Sequence, residues 1–285
     1  MRNLKEYFRP SSPDEALALK GEYGNGAAYL AGGSDLLVHR PPSLVAMIDI
    51  RHAGLNGVGR EGDETVIGGA ATLRDAEMQV GDIAGGMLRT ALRETAPWLI
   101  RNAATVSGNI ANASPAADAV PALLALDADL VLLGPNGGER VPVGNILTGP
   151  HSTSLDGRLI SEIRLPAVAR ERKGWFIKLA RSKSDIAQVN VAVTFVRDGG
   201  TLREVRIALG AVAPTAIRAH RAEALLEGQS PVGDVLHEVE KLVASEVRPI
   251  DDWRASAAYR SRMSGVLARR ALESALRNDG MGDTE

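Results

Sequence analysis

The sequence contains no cysteine. That absence excludes disulfides, thiolate metal sites, cysteine-ligated iron–sulfur clusters and a cysteine nucleophile from this chain. Aromatic residues are scarce too, at 4% of 285 residues, so the core must be built from Ala, Val, Leu and Ile. There is no surplus of basic charge to hold a nucleic acid. Lys and Arg number 33 against 35 Asp and Glu, for a formal net charge of -2. No apolar run reaches the roughly 20 residues that span a bilayer. The opening MRNLKEYFRPSSPDEALAL lacks the apolar middle of a secretion signal. The five histidines, His39, His52, His151, His220 and His237, show no metal-ligand spacing. These features predict a cytoplasmic globular protein of about two domains.

Glycine, by contrast, is abundant at 30 residues, and short polar side chains collect in a few places. The stretch from Ile100 to Leu126 reads IRNAATVSGNIANASPAADAVPALLAL. Its first half is rich in Asn, Ser, Thr, Ala and Gly, which bury little apolar surface. Three glycine-bearing corners stand out: Ala31-Gly32-Gly33-Ser34, Ile67-Gly68-Gly69-Ala70 and Val106-Ser107-Gly108-Asn109. Glycine admits positive φ and close approach of another backbone. Successive N–H groups in such turns cradle anions, phosphates above all. Ser34, Thr105, Ser107, Asn109, Asn112 and Ser114 add short polar groups around them. Neither GxxxxGK[ST] nor a strand-to-helix GxGxxG is present, so both common nucleotide fingerprints are missing. Any one Gly-Gly pair reads as an ordinary turn. The long stretch leaves too many donors without partners, and a large polar ligand would supply them.

Local signals outline the elements. Ser12-Pro13-Asp14-Glu15 is a helix start. Short strands are expected at Ala27–Ala31, at Leu44–Ile50 and in TVIGGA, with helices opening at Thr72 and covering 82–97. Asp118 reads as the cap of a further helix. Strands follow at Leu130–Leu133, RVPV and the alternating RLISEIRLP, which Pro166 stops. Beyond a boundary near 166–172, WFIKLA, VNVAVTFVRD and TLREVRIALGAV read as long strands, the last two joined at Asp198-Gly199-Gly200. Helical segments then close the chain, the last from about Ala255 to Arg277.

The segments AGGSDLLV, IGGAATLRD, IRNAATVSGNIANASPAADAVPALLALDADLVL, KLARSKSDIA and SAAYRSRM, in this order, resemble the FAD-binding subunit of the molybdenum hydroxylases, the xanthine dehydrogenase and carbon monoxide dehydrogenase family. The resemblance covers nearly the whole chain. It implies an α+β fold: an FAD-binding domain of the vanillyl-alcohol-oxidase type in two subdomains, residues 1–57 and 58–168, then a C-terminal α+β domain, residues 169–285, with a three-stranded antiparallel sheet and helices.

The resemblance also implies non-covalent FAD. The first corner, Tyr29, Leu30, Ala31, Gly32, Gly33, Ser34, Asp35 and Leu36, matches a pyrophosphate-wrapping loop. Thr105, Ser107, Gly108 and Asn109, with Asn112 nearby, match a second phosphate loop. Asp118 falls near the ribose end, Lys178 near the flavin, and Ile160 where an apolar residue contacts the nucleotide. Ser107 replaces a family glycine, and a positive φ there would cost about 1 kcal/mol or more. Ile186 stands where some relatives carry a Tyr over the isoalloxazine ring. Taken alone, Lys178 is an edge-strand lysine and Asp118 a plain helix cap. Tyr259, Arg260 and Arg262 match a Tyr-Arg motif that implies packing and subunit contacts.

The implied activity is that of an oxidoreductase subunit. Electrons would come from [2Fe-2S] clusters on a small partner, served by a large molybdenum-cofactor partner, and leave to an external acceptor such as NAD, oxygen or a quinone. A dimer of heterotrimers is expected. The missing cysteines agree that the clusters sit on another chain. Two alternatives stay open: a stand-alone FAD oxidase or reductase, and a flavin-free assembly protein of the same fold.

Overall fold

The computed structural model describes residues 4–231 and 233–278. The ends of the first and third expected domains, residues 1–3 and 279–285, lie outside the described residues. The chain forms three main sheets. The first contains β1 (Glu6–Phe8), β2 (Ala27–Leu30) and β3 (Ala46–Asp49), all parallel, in the order β1-β3-β2. The central β3 is buried at every residue, so Ala46, Met47 and Ile48 read as an apolar run rather than an alternation, and the buried Asp49 that ends it is held by Arg51 and Tyr7. Helix α1 (Pro13–Tyr23) begins as its sequence predicts. Ser12 Oγ accepts the Glu15 N–H at 3.2 Å, and Pro13 occupies the first turn.

The second sheet contains β4 (Val58–Glu61), β5 (Glu64–Gly68), β6 (Asp129–Gly134) and β7 (Gly137–Pro142). A separate small hairpin, β8 (Leu147–Gly149) with β9 (Ser152–Thr153), precedes β10 (Leu159–Leu165). β10 then inserts between β5 and β6, giving the antiparallel order β4-β5-β10-β6-β7. Five helices fall between β5 and β6 in the chain: α2 (Leu73–Gln79), α3 (Met87–Glu94), α4 (Trp98–Arg101), α5 (Val106–Ala111) and α6 (Ala119–Ala125). Ile67, Ile163, Leu88, Leu92, Ile110 and Leu123 belong to the core they enclose.

Two expectations change here. The helix expected over 82–97 is confined to α3, because Ala84, Gly85 and Gly86 take φ of 49°, 64° and 84° and Pro97 precedes a new helix, α4. The polar stretch is also more helical than it reads. Thr105 Oγ1 accepts the Gly108 N–H at 3.0 Å and caps α5, so Ser107, Gly108 and Asn109 lie in a helix rather than a loop.

The third sheet has β11 (Lys173–Leu179), β12 (Val189–Asp198), β13 (Thr201–Gly210) and β14 (Ile217–Arg218), each antiparallel to its neighbour. Asp198 pairs with Thr201 across a two-residue loop in which Gly199 has φ 60°. The three long strands are those expected. The short β14 is an addition, and α7 (His220–Leu226) starts only after it. With α8 (Val235–Glu246) and α9 (Ala257–Leu276), α7 covers this sheet over a core of Val, Leu, Ile and Ala, with Phe195 as its one fully buried aromatic ring. Among the described residues no helix is long and apolar enough to cross a membrane.

A charged hub joins the third sheet to α6. Asp127, in the turn after α6 with φ 52°, accepts from Arg172 at 2.6 Å, Arg206 at 3.0 Å and Arg218 at 3.2 Å. Arg172, only 1% exposed, also donates to the Ala125 carbonyl at 2.8 Å. Burial alone would push the Asp127 carboxyl up, but the Arg206 and Arg172 guanidinium groups outweigh it and hold the carboxyl below the usual range. Stability from such a group is fully present above the unfolded carboxylate value, near 4, and is lost as pH falls through the lowered folded value. Asp127→Asn keeps a side chain that tolerates positive φ while removing the charge. We expect it to cost about 2 kcal/mol at pH 7, after allowing for partial exposure. Urea unfolding should show the gap from wild type narrowing as pH falls below about 4. A gap independent of pH would contradict the charged role.

Candidate functional site

The first corner follows β2. Gly33 takes φ 69°, a left-handed conformation that disfavours side chains, and an added Cβ would also meet Leu30 and Leu37 at 3.0 Å. Gly32 is required for a different reason. A Cβ there would stand 2.2 Å from the Ala103 carbonyl oxygen and 2.6 Å from Ala104 Cα. The first corner is therefore pressed against the segment leading into α5. That segment is fastened in turn to the end of β5. The Leu73 N–H donates to the Ala104 carbonyl at 2.8 Å, the Val106 N–H donates to the Ala71 carbonyl at 3.3 Å, and Ser107 Oγ donates to the Gly69 carbonyl.

This explains the serine in place of a family glycine. Ser107 is not among the residues with positive φ, so the anticipated strain does not arise, and its hydroxyl ties two corners together. The Gly68-Gly69 corner, by contrast, serves packing. A Cβ on Gly68 would lie 2.2 Å from the Leu55 carbonyl oxygen, and one on Gly69 would lie 2.0 Å from that of Ile160.

Between the first corner and α5 lies a cavity of about 430 Å³. Of the residues the sequence singles out, Tyr29, Ala31, Gly32, Gly33, Ser34, Asp35, Leu36, Thr105, Gly108, Asn109 and Asn112 line it. Leu30 does not: it is buried with Leu44 and Met47. Ser107 braces the wall from behind, and Ile160 sits in the core beneath the second sheet, 4% exposed. The cavity also takes Thr95 and Ala96, from the segment that reads as plain helix, and Ile100, the apolar first residue of the polar stretch. Two polar atoms on its lining residues, Tyr29 Oη and Asn109 Oδ1, are buried with no hydrogen-bond partner. Burial pushes the Tyr29 phenol up to about 12, so it stays a neutral donor at ordinary pH.

Asp118 and Lys178 lie apart from this cavity and meet each other. Lys178 Nζ donates to Asp118 Oδ2 at 2.7 Å and to the Glu94 carbonyl at 2.9 Å, and Asn190 Nδ2 donates to Asp118 Oδ1 at 2.7 Å. Their side chains are 3% and 6% exposed, so Lys178 is not a free edge lysine. Asp118 stands at the N-cap position of α6, as expected, but its side chain makes no capping bond. Its backbone is already helical at φ -80°, and its carboxylate turns to the lysine instead of the first-turn amides. Burial pushes the Asp118 carboxyl up, opposed by Lys178 and Asn190. Lys178 lines a second cavity of about 340 Å³ with Glu94 and Ala180–Lys183. Thr95, next in the chain to Glu94, lines the first. Ile186, 53% exposed, lies in the loop after β11.

The lining of the larger cavity is mostly backbone, small residues and neutral polar groups, with the Asp35 carboxylate, 3.1 Å from His39 Nδ1, at its edge. Among the described residues no group of three or more His, Cys, Asp or Glu side chains could hold a metal ion. Such walls bind and orient a ligand rather than attack one, and with this α+β fold they define a cofactor-carrying protein. Residues 2–168 match the family model described as the FAD binding domain in molybdopterin dehydrogenase, and residues 175–275 match the CO dehydrogenase flavoprotein C-terminal domain.

The carbon monoxide dehydrogenase medium chain of Hydrogenophaga pseudoflava is 34% identical over 277 residues, covering 95% of this chain and 96% of that protein. The xanthine dehydrogenase FAD-binding subunit of Escherichia coli O157:H7 is 29% identical over 285 residues, covering 97% of each. A solved structure of carbon monoxide dehydrogenase from H. pseudoflava superposes with a TM-score of 0.91 at 33% identity, over 96% of this chain and 98% of that one. The chain belongs to the family of FAD-binding subunits of the molybdenum hydroxylases.

The buried pair gives a test of the site's construction. Lys178→Met should strand the Asp118 carboxylate and cost about 3 to 5 kcal/mol in the flavin-stripped chain. Adding Asp118→Asn should recover most of that loss. Chemical unfolding of the two single variants and the double variant measures the coupling. Purely additive losses would show that the two groups do not depend on each other.

Proposed function

We propose that one FAD binds non-covalently in the cavity between the first corner and α5. The observation that carries this reading is the meeting of two polar segments around one cavity that leaves Tyr29 Oη and Asn109 Oδ1 buried and unpartnered. Buried polar groups rarely stay unpaired unless a ligand or water completes them. The backbone of Ala31–Leu36 and the side chains of Tyr29, Asn109 and Asn112 would hold the cofactor, with Thr105 and Gly108 completing the wall. Leu30, Ser107 and Ile160 support that wall from behind. The Asp118–Lys178 ion pair fixes the lysine ammonium against the Glu94 carbonyl, one residue from the cavity lining, and so braces that rim without a direct place in the wall. When bound, FAD supplies the redox chemistry that the chain's own side chains lack. The protein's part is to bind the cofactor, orient it and set the electrostatics around it.

On this reading the chain is the electron-transfer link of a cytoplasmic complex. It connects [2Fe-2S] clusters on a small partner, served by a large molybdenum-cofactor partner, to an external electron acceptor. The absence of cysteine supports a separate cluster-bearing chain, and the name "medium chain" of the relatives fits a set of three subunits. A dimer of such heterotrimers is the assembly we propose.

The cofactor assignment has a test in two opposite directions. Purified protein should carry close to one FAD per chain, all released by acid; FMN, or flavin left in the pellet, would contradict it. Tyr29→Phe and Asn109→Ala should each weaken FAD binding roughly 3- to 10-fold, the worth of a typical hydrogen bond. The flavin-free chain should meanwhile keep or gain thermal stability, because each change removes an unsatisfied buried atom. Wild-type FAD affinity in both variants would place the cofactor elsewhere.

A further inference from the structure

The small hairpin of β8 and β9 ends in a two-residue loop, Pro150-His151, between the paired residues Gly149 and Ser152. His151 has φ 53°, a left-handed conformation that glycine usually fills at the loop position after proline. A side chain held there against its preference calls for a reason. The hairpin tip is seated on the end of α5. The His151 N–H donates to the Ala113 carbonyl at 2.9 Å. Its imidazole Nδ1 lies 3.1 Å from the Asn112 carbonyl oxygen and 3.3 Å from Asn112 Oδ1. Asn112, 39 residues away in the chain, lines the larger cavity.

Counting donors fixes the protons. A backbone carbonyl only accepts, so Nδ1 carries the ring proton. A ring N–H facing Asn112 then needs the oxygen of that side-chain amide, because a flipped amide would set N–H against N–H. With Oδ1 so engaged, the Nδ2 group of Asn112 is left over, and it has no partner among the described residues. Asn109, three residues earlier on α5, leaves its Oδ1 buried and unpartnered. The two asparagines thus give one wall an acceptor and a donor.

We infer that His151 is a positioning residue of the cofactor site. It holds the Asn112 amide with its N–H group toward the cavity, where that group donates to an oxygen of the bound FAD. The inference rests on the function proposed above, in which Asn112 helps to hold the cofactor, and adds the residue that sets the polarity of that contact. His151 does not line the cavity, so it acts only through Asn112. The arrangement connects three features: a separate hairpin, a histidine in a conformation usual for glycine, and an amide with one end tied and the other free.

The test compares FAD affinity with the Tm of the flavin-free protein, in the full-length chain. His151→Gly suits the left-handed φ, so the flavin-free Tm should hold or rise. FAD affinity should nevertheless fall roughly 3- to 10-fold, the worth of a typical hydrogen bond. His151→Asn also tolerates this φ and sets an amide N–H close to where Nδ1 stands, so affinity should stay near wild type. His151→Asp puts an acceptor in the same place and draws the Asn112 amide round, so affinity should fall at least as far as with glycine. Asn112→Ala should lower affinity in the wild-type background and change it little beside His151→Gly, because the two residues act as one unit. Gly and Asp variants that bind FAD as wild type does, or affinities that merely track the flavin-free Tm, would overturn the inference alone. So would an Asn112→Ala chain that keeps full affinity while Tyr29→Phe and Asn109→Ala lose it. If no substitution at Tyr29, Asn109 or Asn112 alters FAD binding, the proposed function itself fails.

Discussion

The contact between Gly32 and the Ala103–Ala104 backbone is the constraint on which the site depends. Two segments some seventy residues apart come so close that a single methyl group would stand 2.2 Å from a carbonyl oxygen. Everything around the cavity follows from that approach. It seats the first corner against the entry to α5, and the bonds from Leu73, Val106 and Ser107 hold that entry to the end of β5. The glycine is small to admit the protein's own backbone. The ligand's space is what the approach leaves over, shaped by Gly33 and its left-handed turn.

Charge performs the corresponding work at the junction with the third sheet. Asp127 gathers guanidinium groups from β13, β14 and the segment before β11, and Asp118 gathers Lys178 from β11 and Asn190 from β12. Both acids flank α6, one at each end. A helix made of AVPALLA has no polar side chains of its own to bond with the sheet, so its ends carry the specific contacts while its middle supplies apolar packing. Sheet and site are thus coupled through the two termini of one short helix.

Much of this was legible in the sequence, and the boundary between what was and was not is physical. Helix starts with local caps, Ser12 and Thr72, could be read because the partners lie within three residues. The Asp198-Gly199-Gly200 hairpin was legible for the same reason. Asp118 misled because a residue that fits a cap locally was claimed by a lysine sixty positions away, and no local pattern announces such a partner. The cavity lining from Tyr29 to Asn112 emerged from polar composition and family resemblance together. Thr95, Ala96 and Ile100 stayed hidden, since only the fold brings them to the rim. The Gly68-Gly69 corner shows the converse: glycine spacing alone does not tell a ligand's approach from that of a neighbouring strand.

The insertion of β10 between β5 and β6 sets an order of assembly. The second sheet receives an inner strand last, about ninety residues after β5 has left the ribosome and after the whole run of helices that walls the cavity. Until then β5 and β6 each present an unpaired edge, the kind of surface that invites wrong pairing. Contacts of such long sequence separation form slowly. The Gly69 N–H finds the Ser161 carbonyl only once β10 is in place, so the corner to which Ser107 is tied is pinned after every cavity-lining segment has been made.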